Sequence, residues 1–402
     1  MVKKIKLLFD GQLLAKAFIQ EQTGIFRVCD ELFKRLAKNS DIELYFLMTN
    51  TKGDPEAYLK SRGLDHLVPN IVRMPRLLRT TNHRILYHKF YSWMLRKVLS
   101  RSYGNKLKEF DCYFSPYPPI SKMVKKVGLK SVCIVHDIIP ILYPVFSKCY
   151  KLNLTKFRHY VEDVDTDMIF FVSEYTRNDF LRYRYPYPFD KTQVVYLGVD
   201  DRFSKKSNKD ITCILNKYNI PNKPYLFCLS EANPRKNFSH IIKSFIKYIN
   251  ETKNKDLCLV IGGKKLFSYD YTNDGIVDFE KYKDRIIITG YVEDEDLSAL
   301  YSGASIFMYP SLYEGFGLPV LEAMKCGAPV ITCNNSSLFE VGGDACAYVS
   351  GYDVEETANM IKRLLTDETF KKDLIEKQKD RLLLFSWDES VEKMVSSIKK
   401  LF

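Results

Sequence analysis

Short apolar, β-prone runs recur along the whole chain, and most are followed by a turn and then a helical pattern. They are Lys4–Phe9, Asp41–Met48, Asp111–Ser115, Ser131–Val135, Met168–Ser173, Val194–Val199, Pro224–Ser230, Leu257–Ile261, Arg285–Thr289, Ala304–Tyr309 and Ala328–Cys333. Runs of this kind, alternating with helices, indicate parallel sheets covered on both faces and joined by right-handed crossovers. A chain of 402 residues has room for two or three ordinary domains. The polar stretch Ser204–Asp210 reads as the link between two of them. The expectation is an α/β protein with two doubly wound, Rossmann-like domains facing each other, one over 1–205 and the other over 206–387.

The most informative stretch is Tyr309–Met324, YPSLYEGFGLPVLEAM. It reads as a strand end, a glycine-rich turn and a helix. Gly315 and Gly317 allow the turn either a positive φ or a close approach of a ligand to the backbone. Pro319 suits the first helical position, where a missing N–H costs nothing. A helix N-terminus behind such a turn offers free N–H groups and a partial positive charge to a phosphate. Two carboxylates, Glu314 and Glu322, bracket the turn.

Other candidates lie at strand exits. His136-Asp137 follows the run Ser131–Val135, and ligands of open parallel sheets bind at the C-terminal strand edge. Arg235-Lys236-Asn237 follows Pro224–Ser230, where two adjacent cations suit a diphosphate, although exposed Lys-Arg pairs are also common. Gly24-Ile25-Phe26-Arg27 lies in a loop ahead of a helix. It reads either as a place where substrate meets the backbone or as an ordinary loop glycine beside a surface arginine.

Charge is unevenly placed. Residues 1–205 carry 35 Lys and Arg against 21 Asp and Glu, whereas residues 206–402 carry 26 against 28, so the excess of +12 sits in the first half. No acid occurs between Asp65 and Glu109, and residues 73–108 interleave ten of these cations with Tyr87, Phe90, Tyr91 and Trp93. This segment reads either as an interfacial helix for an anionic membrane surface or as an ordinary amphipathic helix on a basic face. No recognition motif for nucleic acid accompanies it. No run of eighteen apolar residues suggests a membrane span, and the N-terminus lacks the apolar core of a signal peptide. Ten scattered cysteines without a C-x-x-C pair point to reduced thiols, a cytoplasmic location and no zinc site.

Taken together, these stretches resemble glycosyltransferase family 4, whose retaining members have the GT-B fold. Glu314 and Glu322 match the family's E-x7-E signature, and Ser336-Ser337-Leu338-Phe339-Glu340-Val341 followed by Gly343-Asp344-Ala345 matches its continuation. Arg235-Lys236-Asn237, His136-Asp137 and Gly24-Ile25-x-Arg27 match shorter motifs in order. Ser230 and Glu231 stand where many members carry Gly-Arg, and Phe339 replaces the usual proline. The resemblance implies that the terminal helix, residues 388–402, crosses back onto the first domain. It further implies that Glu314 holds sugar hydroxyls of a nucleotide diphosphate-sugar, that Glu322 holds the ribose, and that amides of Gly315, Phe316, Gly317, Leu318 and Val320 cradle the distal phosphate. Arg235 and Lys236 would neutralise the leaving diphosphate, so neither metal nor cofactor is expected. His136 would contact the sugar, Gly24 and Arg27 would close over the phosphates, and Ser230 and Val292 would line the donor site.

The expected reaction is sugar transfer, preferably mannose from GDP-mannose, with retention. The expected acceptor is a lipid-diphosphate-linked glycan at the inner membrane face during surface-polysaccharide assembly. The alternatives are a phosphorylase or sugar-phosphate synthase on the same fold, and a non-catalytic sugar-nucleotide-binding protein.

Overall fold

The computed structural model describes residues 3–19, 24–49, 52–74, 103–117, 122–147, 157–158, 161–162, 164–230, 233–263, 276 and 279–402. The first sheet contains β1 (Ile5–Asp10), β2 (Ile42–Met48), β3 (Ile71–Arg73), β4 (Cys112–Ser115), β5 (Lys130–Val135), β6 (Met168–Phe171) and β7 (Thr192–Val194). All neighbours pair in parallel, in the order β3-β2-β1-β4-β5-β6-β7. The second contains β8 (Tyr225–Leu229), β9 (Cys258–Gly262), β10 (Ile286–Gly290), β11 (Ile306–Tyr309), β12 (Val330–Cys333) and β13 (Ala347–Val349), again all parallel, in the order β10-β9-β8-β11-β12-β13. Both are doubly wound sheets in which the strand order reverses once.

Residue pattern explains the layers. β4, β9, β11 and β12 are buried along their entire length, so their apolar residues need no alternation. The helix Gly24–Leu36 turns Phe26, Cys29, Phe33 and Leu36 inward at three- and four-residue spacing. Phe33 meets Phe9 edge-on at 5.1 Å and Phe46 at 5.4 Å, while Phe9 stacks on Phe114 at 5.2 Å. One apolar cluster runs from these rings through Leu197, Phe316, Phe385 and Trp387 to Phe227 of β8 and Tyr301 of the helix Leu297–Gly303. Burial is therefore continuous across the two domains.

The terminal helix, Trp387–Lys399, lies against the helix Gly24–Leu36 of the first domain. Ser386 caps it by accepting from the N–H of Glu389. Arg35 binds Asp388 at 2.8 Å, Lys399 binds Asp41 at 2.8 Å, and the Ser390 hydroxyl donates to the Tyr196 carbonyl.

Some boundaries differ from expectation. The described helix already includes Gly24, so the expected Gly24–Arg27 loop is helical. The expected strand Val194–Val199 ends at Val194, and β3 and β13, three residues each, are too short to show a period. The basic segment is described only at 73–74 and 103–108, where Arg73 pairs with Glu56, and its remaining residues lie outside the described ones. No described helix is long and apolar enough to cross a membrane. Nine cysteines lie among the described residues as free thiols, all buried except Cys213.

A β-carbon at Gly198 would lie 2.4 Å from the Trp387 nitrogen. Gly198→Ala should lower stability by about 1–3 kcal/mol, the usual range for overpacking. Scanning calorimetry giving the wild-type melting temperature would show that the terminal segment is not held there.

Candidate active site

In the second sheet the order reverses between β8 and β11, and the loops leaving them diverge to open a crevice. β8 is prolonged by Ser230, whose N–H donates to the Gly262 carbonyl at 2.9 Å. Asn233 then caps the turn Pro234–Lys236 by accepting from the N–H of Arg235 at 3.0 Å. Asn237 takes a left-handed conformation, φ 55°, and its amide donates to the carbonyls of Pro310 (3.1 Å) and Gly351 (2.7 Å). The N–H of Leu312 donates to the Arg235 carbonyl at 2.8 Å. These bonds stitch the two diverging loops together and bring Arg235 and Lys236 onto Glu314.

Glu314 is buried and fully engaged. Arg235 Nη1 lies 2.5 Å from one carboxylate oxygen, and Lys236 Nζ lies 2.7 Å from the other. The hydroxyls of Ser311 (2.6 Å) and Tyr309 (2.9 Å) donate to that second oxygen, and Tyr309 also receives a hydrogen bond from Lys236. Burial alone would raise the Glu314 pKa, but Arg235 and Lys236 outweigh it and hold the group at about 2. Asp137, across the cleft, feels the same cations, although its own burial wins and pushes its pKa up. Arg235 also donates from Nη1 to the Tyr313 carbonyl at 2.7 Å.

Glu322 forms a second nest on the helix Leu318–Lys325. Arg27, from the first domain, lies 2.9 Å from one oxygen, and the Tyr301 hydroxyl donates to the other at 3.0 Å. Arg27 also reaches Asp294 at 3.2 Å, which Arg202 shares at 3.2 Å. Burial raises the Glu322 pKa against the opposing pull of Arg27.

The turn between these acids shows why its glycines are needed. Gly317 has φ 135°, which an L side chain rarely adopts. Gly315 is a case of close approach, for a β-carbon there would stand 2.2 Å from the His136 carbonyl of the opposite domain. It is protein backbone rather than a ligand that comes near at this point. The helix starts at Leu318, so Pro319 takes its second position, not its first. Val320 donates its N–H to the Gly317 carbonyl at 3.0 Å, which removes it from the expected amide cradle. Among the described residues, no hydrogen bond engages the N–H groups of Gly315, Phe316 and Gly317. The Phe316 side chain is buried edge-on to Phe385 at 5.8 Å.

Several bonds close the seam between the domains. The Gly315 carbonyl accepts from Ser173 (2.8 Å) and Thr176 (3.0 Å). Glu340 of the second domain accepts from the N–H groups of Glu174 (2.6 Å) and Tyr175 (3.1 Å), the first turn of the first domain's helix Glu174–Tyr183. The Tyr313 hydroxyl donates to Asp179. His136, leaving β5, donates from Nε2 to the Pro116 carbonyl beyond β4 at 2.8 Å, and burial lowers its pKa to about 4. The ring is therefore neutral at pH 7.

The structure thus gathers His136, Glu314, Arg235 and Lys236 with Gly315 at one edge, and Arg27 with Glu322 beside it. Gly24 stands apart with open space around it, and Val292 is buried against Gly262 behind the crevice. Sequence reasoning missed Tyr309 and Ser311, which the loop bends back onto Glu314, and Tyr301 and Asp294, whose partners Glu322 and Arg27 lie farther off in the chain. It also missed the role of Glu340, which sits inside a recognised motif. Among the described residues, no group of three or more His, Cys, Asp or Glu could hold a metal ion.

Comparison with known proteins places the chain among glycosyltransferases. The family described as Glycosyltransferase Family 4 matches residues 23–203, and that described as Glycosyl transferases group 1 matches residues 210–381. O-antigen chain mannosyltransferase B of Escherichia coli is 27% identical over 388 residues, covering 94% of this chain and 96% of that protein. The serotype-specific mannosyltransferase WbdA of Escherichia coli is 29% identical over 291 residues, 68% of this chain but only 34% of the relative. Anabaena HepE, solved with UDP and glucose, superposes with a TM-score of 0.70 at 16% identity, over 98% of this chain and all of that one.

Two outcomes follow. The ordinary pKa of histidine is 6.5, so between about pH 6.5 and 4 the unfolded chain binds a proton that folded His136 refuses, and stability falls as pH drops through that window. A ¹⁵N spectrum at pH 5.5 should show His136 neutral with the proton on Nε2; an imidazolium there would overturn the assignment. Glu340→Ala removes two charged caps, worth about 0.5–2 kcal/mol, and should speed proteolysis in the link near 204–210. Equal cleavage rates would mean that the seam does not depend on this contact.

Proposed function

We propose, for a chain that belongs to glycosyltransferase family 4, that it transfers mannose from a GDP-sugar to a glycan hydroxyl with the anomeric configuration retained. The chain is a two-domain glycosyltransferase related to enzymes of O-antigen biosynthesis. The observation that carries the finer reading is the pairing of Arg235 and Lys236 at the mouth of the turn before the helix Leu318–Lys325. Two cations and a helix N-terminus converge where a diphosphate would depart.

In the reaction, the bond from the anomeric carbon to the diphosphate oxygen breaks as the acceptor oxygen bonds to the same face of that carbon. The acceptor's proton passes to the departing diphosphate. Negative charge grows on that diphosphate, and Arg235 and Lys236 are fixed beside it before the reaction begins. Both side-chain contacts named above for Arg235 run through Nη1, and an arginine carries five N–H donors, so it can hold Glu314 and phosphate together. Glu314, ionised at about pKa 2, orients both cations and offers its carboxylate to sugar hydroxyls. Glu322 binds the ribose in place of Arg27. His136 is neutral and hydrogen-bonded to Pro116, so it shapes the sugar pocket without adding charge. With this charge supplied by side chains, we read turnover as independent of divalent metal.

The acceptor in this reading is carried on a lipid diphosphate, and the basic first half meets an anionic surface at the inner membrane face. Each cation near such a surface contributes about 1 kcal/mol.

A melting-temperature panel should single out GDP-mannose over UDP-sugars, and equal shifts would remove the base assignment. Lys236→Ala and Glu314→Ala should each cut transfer by about 100-fold or more, the usual loss for one fixed transition-state contact, while melting stays cooperative. EDTA should leave the rate unaltered. Replacing Arg76, Arg79, Arg84 and Lys89 with neutral residues should release the protein from anionic vesicles; retained binding would argue against the surface role.

A further inference from the structure

Three tyrosines from both domains meet at the outer end of the seam. Tyr143 follows the short helix Ile139–Leu142 beyond β5, Tyr175 lies in the first turn of the helix Glu174–Tyr183, and Tyr313 precedes Glu314. The Tyr313 ring is 5.1 Å from that of Tyr143 and 5.8 Å from that of Tyr175, edge-on to the latter. Tyr313 itself is 5% exposed, its hydroxyl committed to Asp179, whereas Tyr143 and Tyr175 are each 41% exposed. Phe146 backs Tyr143 at 5.6 Å. A fixed inner ring thus supports two outer rings with open faces.

The position ties this platform to the reaction. The Tyr313 carbonyl accepts from Arg235, and the next residue is Glu314, so the rings begin one residue from the proposed departure site of the diphosphate. Local chemistry selects the occupant. Among the described residues, Asp179, Glu174 and Glu340 lie around the rings, offset by Arg177 beside Glu174 and Arg182 near Asp179, so no excess of positive charge there draws an anionic headgroup. The two outer phenol hydroxyls, of Tyr143 and Tyr175, would lose water under an acyl chain without recovering a partner. A neutral pyranose suits both demands, because its C–H face lies on an electron-rich ring and its hydroxyls meet the phenols and carboxylates.

We propose that Tyr143 and Tyr175, seated on Tyr313, form the acceptor-saccharide subsite, holding a neutral pyranose of the growing glycan beside the donor. This rests on the glycosyl-transfer reading above. Because the first domain supplies the open rings and the second supplies their base, the subsite is complete only while the cleft is shut.

The test uses the full chain, GDP-mannose and other nucleotide sugars as donors, and methyl α-mannoside with α-linked mannobiose to mannotetraose as acceptor probes. Tyr143→Ala and Tyr175→Ala should each raise the acceptor KM about tenfold, Tyr143→Phe and Tyr175→Phe less than twofold, while the nucleotide-induced melting shift reports intact folding. An acceptor KM within twofold of wild type in both alanine variants would overturn the subsite. So would a wild type that binds nucleotide sugar but gives no saturation-transfer signal with any mannoside. Loss of binding to neutral phosphatidylcholine vesicles with an unaltered acceptor KM would overturn it in favour of a lipid. A wild type whose melting responds to no nucleotide sugar would instead defeat the transfer reading.

Discussion

The structure turns on the contact between Gly315 and the carbonyl of His136. Each lies at the C-terminal edge of its own sheet, where loops leave the strands, and they approach closely because Gly315 has no β-carbon. Any larger residue at 315 would separate the two edges. Around that point Ser173 and Thr176 donate to the Gly315 carbonyl, and the apolar cluster through Phe316, Phe385 and Trp387 continues behind it. Backbone proximity, together with these bonds and this apolar cluster, sets the relation between the halves.

Charge is arranged with equal economy of space. Burying a carboxylate is expensive unless opposite charges and hydroxyls replace its water. Glu314 has two cations and two hydroxyls, and Glu322 has Arg27 and Tyr301. The nests differ in origin. All four partners of Glu314 come from its own domain, so that nest persists whatever the first domain does. Glu322 depends on Arg27 from across the cleft, so its environment changes whenever the domains part or a ligand intervenes.

Much of this was legible in the residues. Apolar runs alternating with helices announced two parallel sheets, and the acids flanking Gly315 and Gly317 marked the turn. Other parts depend on separations that no local pattern encodes. The pairing of Arg27 with Glu322 spans 295 positions. The presence of Gly24 within a helix runs against propensity, since glycine is a poor helix former, and is carried by the inward packing of Phe26, Cys29, Phe33 and Leu36. Val320 looked available to a phosphate because the tight bond to the Gly317 carbonyl arises only from the turn's actual path. Tyr309 and Ser311 read as strand-end residues until the loop bends them back onto Glu314.

Glu340 has a consequence of a different kind. The first-turn N–H groups of the helix Glu174–Tyr183 are satisfied by a carboxylate that belongs to the other domain. When the halves move apart, those amides return to water while Ser173 alone remains to secure that end. Fraying of one short helix and opening of the whole molecule are therefore the same thermodynamic event seen at two scales. The exchange of two backbone protons at 174 and 175 becomes a gauge of how long the enzyme stays shut.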